Sequence, residues 1–194
     1  MKNLVFDFFK EYRFLKMGDL VELYKVTSLE SYPSGEVLAR QGQSFNYAIG
    51  IRSGIIRTYI LTSDGEERTV RFAKEGDFAA PARSLLYDEP SSEFLEVVED
   101  AKVVLLNATQ LKKLTTDNIR LMRMWNVAIS KAFADAILRI EFFTSMSPEE
   151  RYVHLMQVSP DLLQRVPQKY LASYIGVTTV SLSRIRSRVG LKSK

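Results

Sequence analysis

The distribution of glycine divides this chain into two parts that must fold differently. Seven of its nine glycines lie between Gly18 and Gly76, and none follows until Gly176. Because glycine permits the backbone conformations that tight turns require, the first part predicts a turn-rich β structure. Six short runs have strand character: Glu36–Arg40, Tyr47–Ile51, Ile55–Leu61, Glu67–Phe72, Phe94–Val98 and Lys102–Leu106. Evenly spaced short strands predict a barrel, roll or sandwich.

From about Ala108 the pattern becomes helical. Thr116 or Asp117 can cap a long helix that extends to about Thr144. Residues along this helix recur at alternating spacings of three and four, which is typical of a coiled-coil seam. The seam consists of Ile119, Met122, Asn126, Ile129, Phe133, Ala136, Ile140 and Phe143. We therefore predict a parallel homodimer joined along this helix. The alternative is a single helix buried inside a monomer.

The most specific pattern in the sequence lies between Gln168 and Val189, after a helix that a capping box starts at Ser147–Glu150. Ala172 is a small residue where two helices approach each other, and Gly176 provides a tight turn between them. Thr178 then caps the second helix. Apolar residues occupy the positions that such a pair buries: Leu171, Ile175, Val177, Leu182 and Ile185. We interpret the segment as a helix-turn-helix. The alternative is an ordinary helical hairpin with an exposed basic face.

The second helix of this pair has the surface of a DNA-recognition helix. On a helical wheel, Val180, Arg184, Ser187 and Arg188 point away from its apolar side. The candidate DNA-contacting residues are Lys169, Thr178, Thr179, Val180, Ser181, Ser183, Arg184, Ser187 and Arg188. Arg184 has the planar guanidinium that binds guanine in the major groove. Lys169 and Arg188 are candidate phosphate contacts.

The charge distribution is consistent with that interpretation. Asp161 is the last acidic residue, and the segment from Leu162 to Lys194 has a charge of +7. Residues 1–161 contain 20 basic and 23 acidic groups, so the body of the protein is close to −3. A basic C-terminal segment also occurs in proteins for solubility alone. Because this charge coincides with a predicted helix face, it favours contact with a phosphate backbone.

The composition excludes several kinds of site. The chain has no cysteine and one histidine, His154, which excludes disulfides, iron–sulfur clusters, thiolate zinc sites and histidine-rich metal sites. We therefore predict no catalytic residue, no metal and no cofactor. No run of 18 apolar residues occurs, and Met1 to Asp19 mixes charged with aromatic residues, unlike a secretory leader. The expected location is the cytoplasm, without a membrane partner.

Together these elements resemble the cyclic-AMP receptor protein / fumarate-nitrate reductase regulator (Crp/Fnr) family over nearly the whole chain. The resemblance rests on Gln168–Thr178, Ser183-Arg184-Ile185 and the β-roll turns at Gly35-Glu36, Gly42, Ser53-Gly54, Asp64-Gly65 and Gly76-Asp77-Phe78. It implies an α+β fold with an N-terminal double-stranded β-helix (a cyclic-nucleotide-binding-like β roll), a long dimerisation helix and a C-terminal helix-turn-helix domain. The wing of that domain is expected to be truncated or absent, because only six residues follow Arg188. The corresponding domains are residues 1–115, 116–146 and 147–194.

The resemblance also implies that the nucleotide pocket has changed. Members of the family that bind a cyclic nucleotide hold its ribose with a glutamate and its phosphate with an arginine. Counting from Gly76-Asp77-Phe78, these positions fall on Pro81 and Ser91. The candidate effector pocket consists of Ala80, Pro81, Ala82, Arg83, Ser91 and Ser92. Because the charge-assisted contacts are missing, we expect a roll that binds a different effector, or none.

The expected function is a dimeric, sequence-specific transcription regulator that binds double-stranded DNA. RNA polymerase and a small-molecule effector are further candidate partners. Two alternatives remain open. One is a dimeric effector-binding roll whose helix-turn-helix no longer binds DNA. The other is an enzyme of the cupin type, which would need a metal held by carboxylates.

Overall fold

A computed structural model of the chain describes residues 12–192. The leader prediction for Met1 to Asp19 therefore concerns mainly residues outside this range. The β part contains helix α1 (Met17–Lys25) and strands β1 (Thr27–Tyr32), β2 (Val37–Ala39), β3 (Tyr47–Leu61), β4 (Glu67–Ala73), β5 (Phe78–Ala79) and β6 (Phe94–Asn107), with the short helix α2 (Ala82–Tyr87) before β6. Six helices follow: α3 (Ala108–Asp117), α4 (Ile119–Ser145), α5 (Pro148–Val158), α6 (Leu162–Arg165), α7 (Gln168–Ile175) and α8 (Thr179–Lys192).

The strands form one antiparallel sheet in the order β1-β6-β3-β4, with β2 paired to β6 and β5 to β3. Two predicted pairs of short strands are in fact single long strands. Tyr47–Ile51 and Ile55–Leu61 are the two halves of β3, and Phe94–Val98 and Lys102–Leu106 are the two halves of β6. The strand β1 was not predicted, because four of its six residues are exposed and no alternation marks it.

Gly54 explains why the long strands looked interrupted in sequence. The register between β3 and β6 shifts on both sides of Gly54, whose φ is +92°. A Cβ atom at this position would lie 2.4 Å from the carbonyl oxygen of Asp100. Only glycine fits such a close approach of two backbones. The irregularity bends both strands, and Ile49, Ile51 and Leu95 are completely buried in the resulting roll.

The long helix α4 begins later than predicted. Asn118 caps it, rather than Thr116 or Asp117, and the Asn118 side chain accepts a hydrogen bond from the Arg120 N–H at 3.0 Å. Asn118 and Arg120 also bind the buried carboxylate of Asp19, with Arg120 Nε 2.6 Å from its Oδ2. The Arg120 guanidinium holds the pKa of Asp19 well below its usual range. This ion pair joins α1 to the start of α4.

The apolar core of residues 12–192 has three parts. One fills the roll, and a second joins Tyr12, Leu23 and Leu111 to the first turns of α4. The third lies among α5–α8, which we call the C-terminal helical unit. This third part of the core also includes three residues of the roll, Ile55, Phe72 and Val98. The helical unit therefore shares its core with the roll of the same chain.

Two kinds of feature are missing from residues 12–192. None of the helices there is both long and apolar enough to cross a bilayer. No group of three or more histidine, aspartate or glutamate side chains in that range is arranged to hold a metal ion.

Candidate nucleic-acid interface

A three-residue turn joins α7 to α8. Gly176 ends α7 in the left-handed conformation with φ of +75°, and the Val177 N–H donates to the Ala172 carbonyl at 2.9 Å. The Thr178 hydroxyl oxygen then accepts a hydrogen bond from the Ser181 N–H at 3.2 Å. The helix-turn-helix geometry predicted from Ala172, Gly176 and Thr178 is present in the structure.

The inner faces of the two helices form the apolar core that the sequence predicted. Leu171, Ile175, Leu182 and Ile185 are at most 3% exposed, whereas Val177 is half-buried at the turn. Burial of one such side chain stabilises a fold by about 1.5–3 kcal/mol. The core therefore fixes the angle between α7 and α8, and with it the direction of the outer face of α8.

The outer face of α8 is exposed. Of the nine candidate DNA-contacting residues, eight have exposed side chains: Lys169, Thr178, Thr179, Val180, Ser183, Arg184, Ser187 and Arg188. The exception is Ser181, which is half-buried and accepts a hydrogen bond from the Thr178 hydroxyl at 3.0 Å. Ser181 and Thr178 thus contribute to the start of the helix as well as lying on its surface.

Positive charge on this face is only lightly neutralised. Arg188 lies 3.4 Å from a carboxylate oxygen of Glu149 on α5, and its side chain remains 61% exposed. Arg184 and Arg186 form no ion pair with any carboxylate in residues 12–192. Arg186 was outside the predicted site, although the same basic run contains it. An exposed guanidinium without an internal partner is available to a phosphate or a base edge.

The predicted dimer seam lies on the surface of the single chain. Seven of its eight members are exposed (Ile119, Met122, Asn126, Phe133, Ala136, Ile140 and Phe143), and Ile129 is half-buried. Ile119 and Phe133 are 74% and 67% exposed. Ile137, one turn after Phe133 on the same side of the helix, is 40% exposed and widens the apolar surface. The alternative of one helix buried inside a monomer would require these side chains to be covered, and within the single chain they are exposed.

The candidate effector residues surround the start of α2. Pro81 caps α2 and is buried, Ser91 is also buried, Ala80 is half-buried, and Ala82, Arg83 and Ser92 are exposed. The Ser91 hydroxyl donates to the Glu93 carbonyl at 2.6 Å. Arg83 forms an ion pair with Glu89 at the surface. Neither side chain is arranged as a free anion-binding group.

Glu93 is a residue of this region that sequence reasoning missed. Its carboxylate oxygen Oε1 accepts a hydrogen bond from the Ala82 N–H, the first amide of α2, at 3.0 Å. Burial raises the pKa of the Glu93 carboxyl above its usual value, and the Ala82 amide and Arg71 oppose that effect. The N–H group beside Pro81 is therefore already hydrogen-bonded to a carboxylate of the same chain. The only sequence signal was an acidic residue directly after Ser91-Ser92.

Comparisons with known proteins agree with this architecture. Residues 29–118 match the family described as the cyclic nucleotide-binding domain. No match exists among curated protein sequences. FixK2 from Bradyrhizobium japonicum is 19% identical over 87% of this chain and 86% of its own, with a TM-score of 0.76.

Two further solved structures are similar over most of their length. A transcriptional regulator from Eubacterium rectale, assigned to the crp/fnr family, is 16% identical over 93% of this chain and 86% of its own, with a TM-score of 0.75. CLP, a global regulator from Xanthomonas campestris that responds to c-di-GMP, is 16% identical over 92% of this chain and 93% of its own, with a TM-score of 0.72. At these identities the likeness concerns the fold, and it confirms the predicted one.

Proposed function

We propose that this chain, which has the fold of the Crp/Fnr transcription regulators, is a dimeric regulator that binds double-stranded DNA through α8. In that proposal residues 1–115 are the roll domain, residues 116–146 the dimerisation helix and hinge, and residues 147–194 the DNA-binding domain. Effector control by cyclic AMP is not part of the proposal. The named structural neighbours that support a regulatory role are transcription regulators rather than enzymes.

One observation supports DNA binding most directly. The helix α8 buries Leu182, Ile185 and Val189 and exposes Arg184, Ser187 and Arg188 on the opposite side. An apolar inner face fixes the helix, while a basic and small-residue outer face fits the major groove. Lys169 at the start of α7 is exposed too, where the first helix of such a pair crosses the phosphate backbone.

The exposed apolar seam of α4 supports dimerisation. Large apolar side chains at Ile119, Phe133 and Ile140 are more than half exposed in the single chain. Pairing two copies would remove this surface from water, and Asn126 would then fix the register of the two helices. A dimer also gives two copies of α8, which matches a DNA site with inverted half-sites about one helical turn apart.

The geometry around α2 argues against a cyclic nucleotide as effector. A phosphate placed at the Ala82 amide would meet the carboxylate of Glu93, which already accepts that hydrogen bond. Arg83 pairs with Glu89 instead of facing such a phosphate. Two like charges that share one site disfavour each other. The proposed effector is therefore a molecule without a phosphate at this position, or the roll acts without one.

The experiment that tests DNA binding is selection of sites from a random duplex library by the purified protein. If Arg184 contacts a base edge, Arg184→Ala should weaken the selected site by about 1–3 kcal/mol per half-site and relax the preference at one base pair. Arg52→Ala, an exposed arginine on β3 far along the chain from α8, removes the same charge and should leave the preference unchanged. Equal preferences for Arg184→Ala and the unaltered protein would place the recognition surface elsewhere.

Lys169 and Arg188 test the backbone contacts separately. Their alanine variants should weaken binding to all sequences alike and reduce the slope of log K against log salt by about one unit for each phosphate that is no longer neutralised. A selective loss on the cognate sequence alone would assign these two residues to base recognition.

A further inference from the structure

The C-terminal helical unit is fastened to the roll of its own chain through α7. The Phe72 ring of β4 packs against Tyr174 of α7, with ring centroids 5.1 Å apart. Phe72 and Ile55 of the roll share one buried core with Leu171 and Ile175 of α7. None of these side chains belongs to the outer face of α8.

A buried arginine lies at the centre of this contact. Arg57 of β3 is 1% exposed, and its guanidinium is stacked between the rings of Tyr59 and Tyr170, at 4.1 and 3.6 Å from their centroids. Its Nε donates to Glu96 Oε2 at 2.9 Å, and Glu67 forms a second ion pair. A buried arginine is stable only when such partners compensate its lost hydration.

Tyr170 is the contribution of α7 to this cluster. Its hydroxyl donates to Glu96 Oε1 at 2.9 Å, the oxygen that Arg57 leaves free. Its ring covers the guanidinium from the side of the helical unit. Removing α7 from the roll would expose Arg57 on one face and leave Glu96 with one hydrogen bond fewer, so the cluster favours the docked arrangement.

The Ser173 hydroxyl forms hydrogen bonds with the backbone of β4. Its hydroxyl donates to the Glu67 carbonyl at 2.9 Å and accepts from the Thr69 N–H at 2.8 Å. One side chain of α7 thus satisfies two backbone groups of β4. Arg139 of α4 donates to the carbonyl oxygens of Thr69 and Tyr174, at 3.3 and 2.5 Å, and ties the long helix to the same point.

Ion pairs surround the centre. Arg165 of α6 binds Glu75 and Glu99 of the roll, each at 2.7 Å, and Lys74 binds Asp161 at 2.7 Å. The Arg165 guanidinium lowers the pKa of Glu75 to about 2. Single surface pairs contribute little, but a network of several that encloses a buried centre resists separation as a unit.

We infer that Arg57, Glu96, Tyr170, Ser173 and Arg165 form a latch that fixes the C-terminal helical unit on the roll and so sets the direction of α8 without a small-molecule effector. The consequence for DNA rests on the proposed function. Because the latch involves only α6 and α7 of the C-terminal helical unit, the outer face of α8 stays open while the latch is closed. A helical unit that is already held in one orientation does not lose conformational entropy when it binds DNA. It also binds more weakly to duplexes whose half-sites are separated by a different number of base pairs.

The first test does not involve DNA. The Thr69 N–H reports latch closure directly, since its hydrogen-bond partner, Ser173 Oγ, is on α7. Hydrogen exchange of this amide is measured by NMR in the double variant Tyr170→Phe/Arg165→Gln, which removes one hydroxyl and one charge but no core volume. We expect exchange faster by at least about tenfold. Tyr24→Phe, the same change at an exposed tyrosine of α1, is the matched control and should not alter it.

The second test uses the duplex that the unaltered protein selects, and versions of it with one or two base pairs added between the half-sites. The double variant should bind the original duplex more weakly and lose most of the spacing discrimination of the unaltered protein. Unchanged Thr69 exchange, tighter DNA binding or intact spacing discrimination would each overturn the latch. Failure of the unaltered protein to select any DNA would instead refute the proposed function, and the Thr69 exchange would still decide whether the latch exists.

Discussion

Replacement of Gly176 by alanine is the sharpest test of the turn that directs α8. The φ of Gly176 is +75°, and an L-residue in the left-handed region costs about 1–2 kcal/mol more than glycine. The new Cβ would also lie 2.9 Å from Cε1 of Phe143 and 3.3 Å from Nη1 of Arg151. Because the Phe143 side chain is 42% exposed, it can turn away, at a further cost of about 0.5–1.5 kcal/mol. The total loss of unfolding free energy should therefore be about 1.5–3.5 kcal/mol.

The assay is urea unfolding at neutral pH, and the chain provides its own control. Gly190 lies in α8, and a Cβ atom there would meet nothing within 4 Å. Gly190→Ala should raise the unfolding free energy by about 0.5–1 kcal/mol, since alanine is the better helix former. The same chemical change is thus expected to act with opposite sign at the turn and within the helix that follows it.

A second substitution separates the two causes at Gly176. Phe143→Leu combined with Gly176→Ala should recover the part of the loss that comes from the ring and leave the backbone part, measured as a double-mutant cycle. If Gly176→Ala unfolds at the same urea concentration as the unaltered protein, the left-handed turn between α7 and α8 is wrong, and with it the placement of the recognition helix.

Three further predictions concern association, effector and pH. Phe133→Asp, on the exposed seam, should give a monomer in sedimentation velocity at concentrations where the unaltered protein is a dimer; a monomeric unaltered protein would contradict the seam. Cyclic AMP at millimolar concentration should raise the Tm by less than about one degree, whereas a saturable micromolar isotherm in calorimetry would refute the argument from Glu93. The pKa of Glu75 falls from 4.5 to about 2 beside Arg165, so its stabilisation is present above pH 4.5 and is lost as the pH drops towards 2. The urea concentration at the unfolding midpoint should therefore fall less between pH 4.5 and about pH 2 in Arg165→Gln than in the unaltered protein. The same fall in both proteins would exclude the ion pair.

The features predicted correctly depend on short stretches of sequence. The capping box at Ser147 and Glu150 is present, with the Ser147 N–H donating to Glu150 Oε2 at 2.7 Å. The turn at Gly176 and the buried residues of α7 and α8 also follow from patterns that lie entirely between Gln168 and Val189. Within such a stretch, capping, turn conformation and helical periodicity all depend on neighbours in the chain, so composition and spacing are sufficient.

The features that were missed depend on residues that are far apart in sequence. Glu96 lies 39 residues from Arg57 in the sequence. Ser173 lies 104 residues from Thr69, whose N–H donates a hydrogen bond to the Ser173 hydroxyl oxygen. Nothing near Arg57 in the chain indicates burial, because an arginine in a strand is ordinarily exposed. The same holds for Glu93, whose partner is an amide with no signature of its own. Pairings of this kind require the three-dimensional arrangement of the roll and the helices.

In the proposed function, the short helix α7 belongs both to the latch and to the DNA-binding domain. Lys169 and Tyr170 are adjacent on α7. The Lys169 side chain is exposed, with its Nζ 4.5 Å from the centroid of the Tyr170 ring, and the Tyr170 ring covers Arg57. Leu171 and Ile175, on the buried side of the helix, join α7 to α8 through an apolar core. Movement of Tyr170 on the roll must therefore move Lys169 and Arg184 together, since close-packed interiors transmit displacement instead of absorbing it. The latch residues lie on β3, β6, α6 and α7. We therefore expect substitutions on the outer face of α8 to change the preferred DNA sequence while the direction of the helix stays fixed.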